Sequence, residues 1–397
     1  MRTISRAGVM RRRNKKYFTT GVYFAAAAAA STRMLVSGER LEQIEITTPT
    51  GSVASFNLAD VKVESAFAEC AIVKETEEEN NPARGMKLSA HVSWLANTSG
   101  GHPAGGIANT TTTATSIATT FGGMVSLVPG DGIGIVTKPG LCVPVGDKAI
   151  HPNVRDIIID SSKHFVPLGK SVEVIVSITD SGKFIDTSKE SRIGIRSGIS
   201  VFDTECTEIK ALKSGYLKYL QAQIDIAAAT GEKALAVLFD DYGVMASKRT
   251  LGFTDDAIIV ARSHVADAVK YCVKKEIKKV VIIGGAGDIL QIIGGSLNGG
   301  KEIPEEPIET LKRVLRECSK DAAPLFMVTM APTVEDAATG LMNIGQTKLL
   351  DEVANRATKA AGKKFGSSIE IGTVVVMRSG HVLAACRNAV NKKRFTN

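Results

Sequence analysis

The sequence predicts two domains: a mixed or antiparallel α+β domain over residues 13–190, then a parallel-sheet α/β domain over residues 191–390. Three observations carry that expectation. At 397 residues the chain is longer than one hydrophobic core usually serves. Its first half alternates apolar and polar residues around Pro/Gly turns, the pattern of hairpins. From about Arg192 short apolar runs alternate with segments of helical period, which argues a parallel sheet with right-handed crossovers.

The elements of the first domain follow in order. An alanine-rich run from Phe18 to Ala30 predicts a helix over about 22–36, because alanine is the best helix former. Ile44 to Thr48 and Ser52 to Leu58 alternate around Pro49-Thr50-Gly51, a hairpin signal. Val61 to Lys74 and Met86 to Trp94 read as further strands. The acidic loop between them, Glu75 to Pro82, reads from its residues as a solvated turn. Residues 97–123 are rich in Thr, Gly, Ala and Ser, lack charge and periodicity, and read as a loop or insertion. A β-prone run then breaks at Pro139-Gly140, which suits a type II turn: proline presets φ and glycine supplies the positive φ. Lys138 stands at the mouth of that turn, either as a solvated hairpin lysine or as a placed cation. A helix over about 153–166 and a hairpin around Asp180-Ser181-Gly182 complete the domain.

In the second domain, Ile209 to Thr230 sets Leu212, Tyr216, Leu217, Leu220, Ile224 and Ala227 on one helical face, with Gly231 as its end. Ala234 to Phe239, Ile258 to Ala261 and Val280 to Ile283 are short apolar strands, with helices near 265–276, 288–296 and 305–319 between and after them. Thr333 with Asp336 starts a helix as a capping pair, and Gly362 closes a later one. A final hairpin, Ile369 to Met377 and His381 to Cys386, turns at Ser379-Gly380. No internal repeat is visible.

Composition, 44% hydrophobic and 23% charged, is that of a globular protein, and no apolar run approaches the roughly 18–20 residues needed to cross a membrane. The net charge of +8 invites nucleic acid, an anionic membrane surface or an anionic small molecule as partner. Aromatics make up only 5% and no basic stripe is interleaved with them, so base stacking lacks its equipment and an acidic small molecule fits better. Cys70, Cys142, Cys206, Cys272, Cys318 and Cys386 form no CxxC pair, and the six histidines form no HExxH. No metal site is expected, and reduced thiols in the cytoplasm are the simplest reading. The basic, small-residue N-terminus has the look of an export leader, although polyalanine makes a poor signal core.

In open parallel sheets, ligands collect beyond the carboxyl ends of strands. Three such ends are readable: Asp240-Asp241-Tyr242-Gly243, Arg262-Ser263-His264, and Gly284-Gly285-Ala286-Gly287-Asp288. The last lets backbone amides approach a ligand ahead of a helix, but as a dinucleotide fingerprint it lacks the third glycine, at Leu290. Asp240 or Asp241 could accept ribose hydroxyls or serve as a turn former.

Four segments occur in a fixed order: Phe18-Thr19-Thr20-Gly21 before the alanine run, GIGIVTKPGL at Gly132 to Leu141, PVGDKAIHP at Pro144 to Pro152, and Arg192-Ile193-Gly194-Ile195 with Gly198-Ile199-Ser200. From about residue 13 to about 385 the chain thereby resembles the CbiD family, the cobalt-precorrin-5B C1-methyltransferases of the anaerobic corrin pathway; VTKPGL is the most specific piece. The resemblance implies S-adenosylmethionine-dependent methylation of C1 of an anionic cobalt-corrin precursor, cobalt-precorrin-5B to cobalt-precorrin-6A, in cobalamin biosynthesis. It sets the TTG segment and alanine helix inside the folded domain rather than in a leader. It offers the acidic loop Glu75 to Pro82, matched by an acidic loop in the family, as a face for substrate or metal. It implies substrate contacts from Thr19, Thr20, Gly21, Thr137, Lys138, Gly140, Arg192, Gly198 and Ser200, with Lys148 and Arg196 as further cations. It implies contacts to the methyl donor from Asp240, Asp241, Gly284, Gly285, Gly287 and Asp288. Methyl transfer from a sulfonium asks for placement and a dry site rather than a triad or a metal.

The chain departs from the family in several loops. Gly-His-x-Gly-Lys is here Gly284 to Asp288, and Asn-Thr-His-Ser is here Asn298-Gly299-Gly300-Lys301, so both histidines are absent. Asp203 and Cys206 replace two glycines of Gly-Gly-Ile-Ser-x-x-Gly-Thr-Thr-Gly, and Val22 stands where a small hydroxyl or thiol residue often follows TTG. His264, at the neighbouring strand end, is the candidate to take over acid/base work. The rival reading is a non-catalytic tetrapyrrole- or nucleotide-binding paralogue.

Overall fold

The computed structural model describes residues 16–77, 81, 83–95, 115–118, 124–179, 188–295, 297, 305–387 and 389. The chain divides into two compact units. One is built on residues up to Thr137 and on Cys142–Gly215, the other on Lys138–Leu141 and residues from Tyr216 on.

The first unit is organised around helix α1 (Thr20–Ser37), in which every side chain from Phe24 to Ala30 is fully buried. Alanine carries no bulk and loses no side-chain entropy, so this helix can be enclosed on all sides. It packs on helix α2 (Pro152–Lys163), whose first residue is a proline with no N–H to satisfy. After the hairpin β1 (Gln43–Thr47) and β2 (Val53–Asn57) comes a sheet of β3 (Ala59–Val63), β4 (Phe67–Val73), β5 (Lys87–Leu95), β6 (Thr115–Ala118), β7 (Met124–Pro129) and β9 (Ser171–Thr179). Strand β8 (Ile135–Val136) lies outside that sheet. The sheet runs β3-β4-β5-β9-β7-β6 and is antiparallel except for the β7–β9 pair. Leu88, Ala90 and Val92 of β5 alternate inward with Val172, Val174 and Val176 of β9, the period-2 signature of one buried face.

The stretch 61–74 is two strands, not one: Glu64 N–H donates to Phe67 O at 2.8 Å and closes a turn between β3 and β4. The hairpin expected at 180–182 lies outside the described residues, and β9 pairs instead with β5 and β7. Of residues 97–123, Thr115–Ala118 form the edge strand β6 against β7; residues 97–114 and 119–123 lie outside the described set. Helix α3 (Ser188–Arg192) and strand β10 (Ile195–Arg196) lead to α4 (Glu208–Ala229).

The second unit is the expected α/β domain. Its sheet holds β11 (Ala234–Leu238), β12 (Ile258–Val260), β13 (Lys279–Gly284), β14 (Glu370–Val376) and β15 (Val382–Ala385) in the order β12-β11-β13-β14-β15, with only β15 antiparallel. A single helical turn, α5 (Gly243–Met245), follows β11. The longer helices are α6 (Val265–Lys274), α7 (Ala286–Ile293), α8 (Pro307–Cys318), α9 (Ala322–Met330), α10 (Val334–Asn343) and α11 (Thr347–Phe365). Both faces of β11 and β13 are buried: Leu235, Val237, Val280 and Ile282 join one apolar cluster, and Ala236, Leu238, Val281 and Ile283 another. That is why these strands read as continuous apolar runs rather than alternations.

Leu220, Ile224 and Ala227 of α4 sit in the larger cluster, while the Leu212 side chain is outside the described set. The Thr333–Asp336 cap is present, with Asp336 N–H donating to Thr333 Oγ1 at 3.1 Å. Gly362, expected to end a helix, lies inside α11; the helix stops at Gly366, whose φ of 77° is the left-handed turn-out that glycine permits. Among the described residues, no helix is long and apolar enough to cross a membrane.

Candidate functional site

In the first unit three glycine-bearing segments are laced together. β8 pairs with β10, while isolated bridges join Ile133 to Ile199, Ile135 to Lys148 and Ile150 to Val201. Gly134 N–H donates to Ile199 O at 2.9 Å, and Ile199 N–H to Gly132 O at 3.1 Å. A Cβ at Gly198 would lie 2.5 Å from Gly134 N and 2.6 Å from Gly132 O, so two backbones touch where only glycine fits. Thr137 donates twice to Gly194 O, from its N–H at 2.8 Å and from Oγ1 at 2.7 Å. The Ser200 hydroxyl donates to Glu190 Oε1 at 3.0 Å; burial pushes the Glu190 carboxyl above its ordinary range, against the pull of the Ser200 hydrogen bonds. Lys148 donates to Ile133 O at 2.9 Å, and burial lowers its ammonium. Arg192 and Arg196 are exposed.

The start of α1 is tied down in the same unit. Thr19 is buried, its N–H donates to Cys206 O at 3.2 Å and its hydroxyl to Glu205 O at 2.6 Å. Thr20 opens the helix, and a Cβ at Gly21 would come within 2.7 Å of Val154. Beside it lies a buried ion pair that sequence reasoning missed: Lys74 Nζ is 3.0 Å from Glu208 Oε1, with side chains only 4% and 8% exposed. Lys74 also donates to Phe18 O at 3.0 Å and stands over the Tyr23 ring, while Glu208 Oε2 accepts from Glu77 N–H at 3.1 Å. Burial lowers the Lys74 ammonium, with Glu208 opposing, and raises the Tyr23 hydroxyl to about 12. Two partners so distant in sequence leave no local signal.

The segment Lys138–Leu141 belongs to the second unit. Gly140 has φ 106°, the positive φ expected of a Pro-Gly turn, and a Cβ there would meet Asp225 O at 2.5 Å. Lys138 is no freely solvated lysine: its ammonium is paired with Asp256.

The three strand ends of the second unit come together at the carboxyl edge of the sheet. Asp240 Oδ1 accepts from Asp241 N–H at 2.6 Å, and Asp241 pairs with exposed Arg262 at 2.7 Å. Tyr242, named in the sequence only as part of its strand end, proves central. Its hydroxyl donates to Asp288 Oδ2 at 3.0 Å and accepts from Gly285 N–H at 3.1 Å, while Asp288 Oδ2 caps α7 through Gly285 N–H at 3.0 Å. Burial raises both the Asp288 carboxyl and the Tyr242 hydroxyl; the bonds from Gly285 and Tyr242 hold Asp288 partly back. The space that glycine leaves at 284 and 285 is taken by the protein itself: a Cβ would meet Phe239 at 2.8 Å and the Tyr242 hydroxyl at 2.8 Å. Gly287 has only Glu335 Oε1 nearby, at 3.4 Å. His264 ends the turn Arg262–His264, with Nδ1 3.3 Å from Asp267 Oδ2 and its ring 5.5 Å from that of Tyr216. Asn298 to Lys301 lie outside the described residues.

Beside Asp288 opens a cleft of about 310 Å³. Phe239 and Ile292 wall it, and Asp267, Lys270, Asp288 and Lys364 supply its charge. Lys270 and Lys364 sit on α6 and α11, where a helical lysine carries no sequence signature.

A profile of the CbiD family matches residues 9–209. The cobalt-precorrin-5B C(1)-methyltransferase of Sulfurisphaera tokodaii is 27% identical over 255 residues, 64% of this chain and 71% of that protein. The enzyme of the same name from Moorella thermoacetica is 25% identical over 87% of this chain and 88% of its own length. That from Alkaliphilus metalliredigens is 22% identical over 90% and 89%. A crystal structure of the cobalamin biosynthesis protein CbiD from Archaeoglobus fulgidus aligns with 76% of this chain and 84% of its own, at 17% identity and a TM-score of 0.32, too low to bear on the fold. With the profile spanning just over half of its residues, including the TTG, VTKPGL and IGIRSGIS segments, the chain belongs to the CbiD family.

Proposed function

We propose that this chain methylates C1 of cobalt-precorrin-5B, with S-adenosylmethionine as the methyl donor, on the route to cobalamin. The observation that carries the reading is that relatives bearing this one activity align through both units, over as much as 90% of the chain, rather than over a shared module.

The second unit's cleft suits such a donor. About 310 Å³ lies at the small end of ligand sites, which fits a nucleoside joined to an amino acid and is too little to enclose a tetrapyrrole. Phe239 and Ile292 offer an apolar wall for a base, and the Asp288 carboxylate an acceptor for ribose hydroxyls. When bound, the donor supplies an activated methyl group on a sulfonium. The chain's own part is to hold both reactants in line and exclude water. For the carboxylates of the corrin, Lys138, Lys148, Arg192 and Arg196 are the proposed partners, with Thr20, Thr137, Gly140 and Ser200 shaping the surface and buried Thr19, Gly21 and Gly198 supporting it from behind. On the donor side the loop Gly284, Gly285, Gly287 and Asp288 is proposed together with Asp240 and Asp241.

His264 is proposed for proton transfer in place of the absent loop histidines. Asp267 orients its ring. His264→Ala should then lower turnover by roughly 10²–10⁴-fold and remove a limb from the pH–rate profile; an unchanged profile returns His264 to a packing partner of Tyr216.

The function is tested by incubating the intact protein with methyl-labelled donor and the precursor. A product one methyl group heavier is expected. A protein that binds the precursor and transfers no label is a tetrapyrrole-binding paralogue instead.

A further inference from the structure

The charges around the cleft are not evenly mixed. Lys364 lies within electrostatic reach of both Lys270 and Asp267: burial and the neighbouring Lys270 charge lower its ammonium, while Asp267 raises it. Asp288 instead feels the carboxylates Glu335 and Asp240. Lys270 is only loosely engaged, 4.0 Å from Asp267 with a side chain 62% exposed, so its flexible stem is free to reposition its ammonium. Lys364 is anchored by donating to Leu297 O, which leaves further N–H donors on the same nitrogen. A group of two lysines and one aspartate, with a further carboxylate and the aromatic wall of Phe239 in the same lining, complements a ligand carrying an α-amino acid head and a hydroxyl-bearing nucleoside tail.

We propose that Lys270 and Lys364 bind the α-carboxylate of the donor, with Asp267 facing its α-ammonium, and so fix the amino-acid end of the ligand in this cleft. This assignment rests on the reading of the chain as an S-adenosylmethionine-dependent methyltransferase and adds to it which residues recognise the donor's amino-acid end.

The test is calorimetric and needs no turnover. The intact chain and its Lys270→Met, Lys364→Met and double variants are titrated with S-adenosylhomocysteine and with 5′-methylthioadenosine, which keeps the nucleoside and lacks the amino-acid head. Urea midpoints of each variant, close to that of the parent, establish that it folds, and Lys270→Arg keeps the charge. The double variant should bind S-adenosylhomocysteine roughly 10- to 100-fold more weakly, the effect of losing charge-assisted hydrogen bonds. Its affinity for methylthioadenosine should stay within about twofold of the parent's, and Lys270→Arg should recover most of the loss of Lys270→Met. Unchanged affinity for both ligands, or equal weakening of both, overturns the assignment while the methyltransferase reading stands. A parent protein that binds neither ligand overturns the donor reading as well.

Discussion

Glycines gather in both units, but the neighbours they leave room for differ in kind. In the first unit Gly134 and Gly198 bring backbone against backbone, and nothing there can give way. In the second, Gly284 and Gly285 make room for side chains, Phe239 and Tyr242, the first of which lines an open cleft. The charges follow the same division. Lys74 and Glu208 are sealed from water, whereas Arg262 and Asp241 are each more than half exposed. The first unit is thus locked around its loops and the second is adjustable at its strand ends.

Breaking the sealed pair gives the largest expected effect. Glu208→Gln leaves a buried ammonium without its counter-charge and should cost about 3–5 kcal/mol in urea unfolding. The double variant Lys74→Met with Glu208→Gln should recover much of that loss, since no lone charge remains; a double variant as unstable as the single one would show that the pair is not what seals the region. Gly198→Ala comes next. Its Cβ would overlap backbone atoms, and a loss of about 1–3 kcal/mol is expected, with Gly287→Ala in the other unit near neutral. Equal losses at the two glycines would erase the distinction between the units.

Asp288→Ala removes the cap of α7 and the acceptor for Tyr242, for an expected 1–2 kcal/mol, roughly a helix cap's worth. The smallest effect is a slope with pH. The Glu190 carboxyl keeps its proton in the folded state above its ordinary value of 4.5, so the folded form binds more protons than the unfolded one there. Stability therefore falls as pH rises from about 4.5 through the folded-state value, and is flat beyond it. Urea midpoints of Glu190→Gln over that range should lack this component, and a parallel pair of curves would show that Glu190 titrates alike in both states.

Much of the fold was legible because its signals are local. Pro49-Thr50-Gly51 marked the first hairpin, and the apolar runs at 234–239 and 280–283, short and alternating with helical segments, read as the parallel strands they are. Gly362 misled because a glycine inside a helix looks like one that ends it; only Gly366 takes the left-handed φ. The candidate site was legible as far as strand ends and glycine loops go, since both follow from chain geometry. Lys74 with Glu208, and Lys270 with Lys364, escaped notice because each pair is assembled by folding from positions far apart. Tyr242 stood within a quoted motif, yet its bond to Asp288 depends on the two strands β11 and β13 being neighbours.

The tether at the start of the alanine helix has a consequence in time. Thr19 is hydrogen-bonded to Glu205, 186 residues later, and Phe18 bridges Thr207. At a synthesis rate of about 5–20 residues per second, this largely buried helix leaves the ribosome roughly 10–40 s before the segment that closes over its start. Its alanine faces pack on β4, β5 and α2, all made earlier, so what waits for that segment is the helix start. Completion of the first unit is accordingly a non-local event, of the sort that closes slowly.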